Sequence, residues 1–203
     1  DNAELNSALQ TLEEAASLYA VLARPEAVAV THVQGQAPEV VRDRLRRRAE
    51  LFRLKGWILL RLGRGESAQA AFTQVVSIYE KGLQEAVGAA TGQTALAAAL
   101  LNTGDTARAL KTTAAATARL GPQGDRGAHA GNYLVQGWIR FTRGEFAKAY
   151  GNANLGLSLM QGTTDTKTHQ RVKGRLHALA SSVLDGAGLA ADAASRASYA
   201  LKL

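Results

Sequence analysis

The sequence predicts an all-α chain of repeated helical hairpins, on three observations. Ala and Leu are abundant and proline occurs only three times, a composition that suits helices. The apolar residues recur at helical spacing. One Gly–Ala register also recurs four times, and a period of this length is the mark of a repeat architecture. Gly63 precedes Ala68 and Phe72, Gly104 precedes Ala109 and Thr113, Gly144 precedes Ala149 and Ala153, and Gly188 precedes Ala193 and Ala197. Successive glycines lie 41, 40 and 44 residues apart.

A small residue stands seven positions before each glycine: Gly56, Ala97, Gly137 and Ser181. Each unit therefore reads as helix, glycine turn, helix, with the small residues letting two antiparallel helices approach closely. The turns Gly-Arg-Gly-Glu (63–66), Thr-Gly-Asp-Thr (103–106) and Arg-Gly-Glu-Phe (143–146) place a helix C-cap beside a new start. Glycine suits the left-handed cap, and an acid near the new N-terminus suits the helix dipole. In order, helices are expected near 3–23, 39–62, 66–82, 85–103, 106–120, 127–143, 145–160, 167–186 and 189–202. The longer connections are 24–38, 121–126 and 161–166, and the first has room for a short helix or an extended piece. The chain thus reads as a single helical-repeat domain over 1–203. A lone N-terminal helix, 3–23, precedes units of about 39–82, 85–120, 127–160 and 167–202.

The residues of these units resemble the tetratricopeptide family, whose repeat runs from a large residue through Leu-Gly and an aromatic to Ala and Phe. The first unit carries Phe52, Gly56, Leu59, Gly63, Ala68 and Phe72; the second Leu96, Ala97, Leu100, Gly104 and Ala109, with a late Pro122. The third carries Tyr133, Gly137, Gly144, Ala149 and Ala153; the fourth His177, Leu184, Gly188, Ala193 and Ala197. The resemblance covers residues 49–203. It departs from the family in a period of about 40 rather than 34, and in the loss of most of the aromatics. It looks like the long-repeat variety found in bacterial regulators and peptide-binding adaptors. The resemblance implies an α-solenoid, a right-handed superhelical stack whose concave face is formed mainly by the first helices of the pairs. It also implies a protein or peptide ligand rather than a substrate.

Charge narrows where such a ligand would bind. The chain carries a formal net charge of +7. Residues 42–64 hold nine basic groups against the two acids Asp43 and Glu50, so this segment alone accounts for the excess. On a helix, Val41, Leu45, Ala49, Phe52, Gly56 and Leu59 share one face, the expected core side. Arg42, Arg46, Arg53, Trp57 and Arg64 share a neighbouring face, with Glu50 at its edge. A basic stripe carrying an indole suits an acidic or phosphorylated partner; its plain alternative is a solvated charged face. Trp57 and Trp138 occupy equivalent places in units one and three. They are expected either to grip an extended peptide or to fill the space between hairpins. The resulting partner-binding candidates are Arg42, Arg46, Arg53, Trp57, Arg61 and Trp138, with Arg53, Trp57, Arg61 and Trp138 lining an inner groove.

Other function classes have little in their favour. The chain has no cysteine, so disulfide frameworks, thiolate nucleophiles and Cys-ligated metals are excluded. His32, His129, His169 and His177 form no i, i+4 pair and complete no metal motif. No nucleophile elbow, P-loop or dinucleotide fingerprint is present, so neither catalysis nor a cofactor is expected. No apolar run is long enough to span a membrane and none resembles a signal peptide, which points to a cytoplasmic chain. A start at Asp1 rather than Met suggests a processed chain or a fragment. The leading expectation is an adaptor binding an acidic protein or peptide. The second is the ligand-sensing or oligomerisation part of a larger bacterial transcription regulator. Nucleic-acid binding through 42–64 ranks below both, because the stripe lacks clustered aromatics for stacking bases.

Overall fold

The structure is a computed structural model. It describes residues 2–22, 37–82, 90–162 and 166–189, together with 192, 193, 196 and 197. Among these residues every regular element is helical: α1 (Asn2–Leu22), α2 (Ala37–Arg61), α3 (Gly65–Ser77), α4 (Ala90–Asn102), α5 (Thr106–Leu120), α6 (Arg126–Thr142), α7 (Phe146–Leu159) and α8 (Lys167–Gly186). The all-α class is therefore as expected. Helix α3 runs on into a π-helical turn, Ile78–Gly82, which the sequence pattern did not distinguish from α-helix. Helix α2 begins two residues before its expected start and takes in Pro38. Proline is tolerated in the first turn because the amide it lacks has no intrahelical partner there. The connection expected over 24–38 falls outside the described residues as far as 36, and the helix expected over 189–202 mostly does.

The four register glycines all take the left-handed conformation, with φ of 72° at Gly63, 82° at Gly104, 73° at Gly144 and 79° at Gly188. The same backbone bonds close all four turns. The amide of each glycine donates to the residue three before it, at 2.9–3.0 Å. The amide after it reaches back five residues: Arg64 to Leu59 O at 2.8 Å, Asp105 to Leu100 O at 3.0 Å, Glu145 to Arg140 O at 2.9 Å and Leu189 to Leu184 O at 2.8 Å. This 6→1 bond satisfies a carbonyl that the helix end would otherwise leave open. Starts are capped by side chains where the sequence allows. Asp125 accepts from Ala128 N at the head of α6, and Thr166 accepts from His169 N at the head of α8.

The chain divides into two compact units, Asp1–Gly88 with Ala99–Asp105, and Ala89–Ala98 with Thr106–Leu203. Helix α4 contributes residues to both. In the first unit α2 packs against α1 on one side and α3 on the other. The core there is Leu9, Leu59, Ala68, Ala71 and Phe72, flanked by Ile58 and Leu62. Gly56 is where α2 meets α3: a Cβ at this position would run into the Phe72 ring. In the second unit α5, α6, α7 and α8 pack in succession, and α8 also reaches α6. Ala130, Leu134, Ala149, Ala153, Met160, Leu176, Leu179, Ala180 and Val183 form its core. Gly137 is the counterpart of Gly56, with Leu179 and the Ala149 carbonyl where a Cβ would lie.

One polar link crosses the second unit. Asn132 of α6 is 1% exposed. Its Nδ2 donates to Thr113 O at 3.1 Å and to Thr117 Oγ1 at 2.7 Å on α5. Gln136 Nε2 donates to the same Thr117 hydroxyl at 3.1 Å, and the Thr94 hydroxyl of α4 stands 3.3 Å from Asn132 Oδ1. A buried amide otherwise costs about 1–3 kcal/mol, so these partners let it sit in the core.

Candidate functional site

Helix α2 carries five of the six candidate residues. Its inner side is as the spacing requires: Ala49, Gly56 and Leu59 are buried, and Leu45 and Phe52 are half-buried. Val41 lies outside the residues whose side chains are described. Helix α1 covers the edge formed by Arg48, Phe52, Lys55 and Leu59. There Lys55 Nζ pairs with Glu13 Oε1 at 2.7 Å, and the Arg48 guanidinium lies 5.4 Å from the centre of the Phe52 ring.

The opposite edge of α2 holds the basic stripe, and part of its charge is spoken for. Arg47 Nε donates to Asp43 at 2.7 Å. Arg53 grips Glu50 with two nitrogens, Nε donating to Oε2 at 2.7 Å. This hydrogen bond holds the Arg53 guanidinium above its ordinary pKa against the opposing effect of burial. Burial, followed by the nearby Glu50 charge, likewise raises the Tyr79 phenol, which the π-helical turn brings up beside Arg46 and Arg53. Arg42 is engaged within the molecule as well. Arg46 and Arg61 are exposed, and Arg64 donates to Asn6 of α1 at 3.3 Å. Exposed pairs of this kind contribute at most about 1 kcal/mol each, so a stronger acidic partner can displace them.

Trp57 stands in the middle of this edge. It is 47% exposed, its ring meeting Phe72 edge-on with centroids 5.9 Å apart. Two further large apolar residues of α2 are open beside it, Leu54 at 39% and Leu60 at 45%. Sequence reasoning singled out the indole and the arginines but passed over these leucines. Their signal was present, since positions 54 and 60 fall outside the apolar face it had drawn. Trp138 differs. It is half-buried against the core of the second unit, edge-on to Phe141 at 5.6 Å. The two indoles thus belong to different units.

Among the described residues no group of three or more His, Asp or Glu side chains is placed to hold a metal ion. None of the described helices is long and apolar enough to cross a membrane. No protein-family model matches the chain, and no curated protein matches it either.

Proposed function

We propose that the chain is a peptide- or protein-binding scaffold, a tetratricopeptide-like array of hairpins stacked as a right-handed superhelix, which docks an acidic partner on the Trp57 edge of α2. Support for the repeat reading comes from the four identically closed turns and from the buried alanines that follow them. Ala68, Ala109 and Ala149 are all at 0% exposure. The observation that carries the binding reading is Trp57, an indole left nearly half open between Leu54 and Leu60, with Arg53 and Arg61 one helical turn to either side. Contiguous large apolar side chains with a polar rim are what interaction sites expose, and Trp and Arg are the commonest anchors at such sites. The partner that fits is a peptide segment placing apolar side chains on the indole and carboxylates on Arg46, Arg53 and Arg61.

The test uses a library of acidic peptides with and without apolar residues, titrated against the full chain in a Trp138→Phe background. Trp57 emission then reports binding alone. Peptides with both features should shift the emission, and Trp57→Ala, its affinity measured by calorimetry, should weaken binding by about 1–3 kcal/mol, as anchor residues do, with the far-UV spectrum unchanged. Added salt should weaken binding as well. Affinity indifferent to Trp57→Ala and to salt defeats the reading. Tighter binding of single-stranded oligonucleotides, with a log–log salt slope of several phosphate contacts, would transfer the surface to nucleic acid.

A further inference from the structure

The first unit carries two exposed helix faces of opposite charge, and the Trp57 edge of α2 is one of them. Helix α1 is the most acidic of the described helices. It holds Glu4, Glu13 and Glu14 with no lysine or arginine, whereas α2 sets eight bases against three acids. Leu9 and Ala16 of α1 are buried on the side that α2 covers. Ser7, Thr11, Glu14 and Leu18, in steps of four, three and four residues, share the other side and are all exposed. Leu18 is 65% exposed, more than any other large apolar side chain among the described residues. Glu14 accepts from Gln10 Nε2 at 3.2 Å, a neutral amide that leaves the carboxylate its full charge.

The fold already contains a contact of the kind these two faces could make. Where α1 lies on α2 within the molecule, the helices run antiparallel. Leu9 and Leu59 share the core there, and one turn away Glu13 pairs with Lys55 at 2.7 Å. The same apolar-plus-charge pattern stands unused on the outer faces. On α1, Leu18 comes one turn after Glu14; on α2, Trp57 comes one turn before Arg61. Both spacings are four residues, about 6 Å along a helix. An antiparallel α1 that seats Leu18 on Trp57 therefore brings Glu14 to Arg61, which is exposed. Leu54 and Leu60 extend the apolar seat, and Arg53 keeps its own partner Glu50. Two copies could otherwise meet only Trp57 edge to Trp57 edge on this surface, and that would set arginines against arginines. Within one copy α1 lies along one edge of α2 and Trp57 on the opposite edge. A contact between the two faces is thus head-to-tail, using different surfaces of the two copies.

We propose that the partner of the Trp57 edge is α1 of a second copy of this chain, seated antiparallel with Leu18 on the indole and Glu14 at Arg61. The inference rests on the reading of that edge as a docking surface and names its occupant.

Sedimentation velocity of the full chain over a range of concentrations should show association that weakens with added salt. Leu18→Gln, Glu14→Lys and Trp57→Ala should each weaken it about tenfold or more, as loss of an anchor or of its mate does. Far-UV spectra should not change, because all three residues are exposed. Mixing is the deciding step. Leu18→Gln keeps its α2 edge and Trp57→Ala keeps its α1 face. The two variants, each weakly associating alone, should therefore form a one-to-one complex with the affinity of the parent contact. Monomer at every concentration, association untouched by Leu18→Gln and Glu14→Lys, or a mixture no tighter than its components would each overturn the proposal. The acidic-peptide titration separates this failure from that of the docking reading. If such peptides bind a chain that does not self-associate, the edge takes another acidic partner and only the second copy is excluded. If neither binds, the docking reading falls with it.

Discussion

Two helical glycines in the second unit have opposite environments, and alanine at each should change stability in opposite directions. Gly151 lies within α7 with open space where a Cβ would sit. Alanine there removes the entropic cost of glycine in a helix, a gain of about 0.8–1 kcal/mol. Gly137 lies within α6, where a Cβ would overlap Leu179 Cδ2 and stand 3.4 Å from Ala149 O and 3.5 Å from Asn152 Cβ. Leu179 is fully buried, so its displaced methyl has no solvent to turn into and must shift within the core. Overpacking of this kind costs about 1–3 kcal/mol. Setting it against the same helical gain leaves Gly137→Ala destabilising by up to about 2 kcal/mol. Leu179→Ala vacates the contested space, so Gly137→Ala added to that background should stabilise. The coupling between the two sites then equals the overpacking, about 1–3 kcal/mol. Urea unfolding followed by far-UV circular dichroism measures the parent and all four variants, with an unchanged slope confirming that the midpoints are comparable. If Gly137→Ala stabilised as Gly151→Ala does, the close approach of α6 and α8 at this glycine would be refuted.

Two further outcomes are expected from the second unit. Asn132→Ala removes two buried hydrogen bonds, to Thr113 O and Thr117 Oγ1, while Gln136 still donates to Thr117 Oγ1 and the Thr117 hydroxyl to Thr113 O. At about 0.5–1.5 kcal/mol for each lost bond it should cost about 1–3 kcal/mol in the same unfolding assay; a neutral result would mean that water replaces the amide at no cost. His177, faced by Arg196 and sharing α8 with Lys173, has a folded pKa below its ordinary 6.5. The unfolded chain therefore binds the proton more readily. The stability this difference contributes is present above pH 6.5 and is lost as pH falls from there through the folded pKa. His177→Gln should flatten that decline, and melting curves of the two proteins from pH 8 to about pH 5 that run parallel would exclude it.

Much of the fold was legible because the repeat encodes it locally. The left-handed turns at Gly63, Gly104, Gly144 and Gly188 follow from glycine alone, and the buried alanines follow at fixed offsets. The close approach at Gly56 was legible for the same reason, since only a missing Cβ admits the Phe72 ring. The candidate surface was half legible. Helical spacing put Trp57 on one face with the arginines and Glu50 at the edge of that stripe, but it did not pair Glu50 with Arg53. The partners that reach α2 from elsewhere were not legible. Nothing within the sequence of α2 indicates that Glu13 arrives beside Lys55, because that depends on how far α1 slides along its neighbour. Likewise Asn132, read singly, is an ordinary polar residue of a helix. It becomes a core link only when α5 turns Thr117 toward it.

The closure of the turns bears on how such a chain is made. Each joint uses only amide and carbonyl groups within six consecutive residues, so it can form as soon as those residues leave the ribosome, with no wait for a distant segment. Contacts of such short range favour rapid folding. They also make each joint self-sufficient under recombination. A duplicated stretch of about 40 residues would carry its own closure and its own Gly–Ala offset. The number of hairpins is then a quantity the gene can vary without redesigning the bend between them.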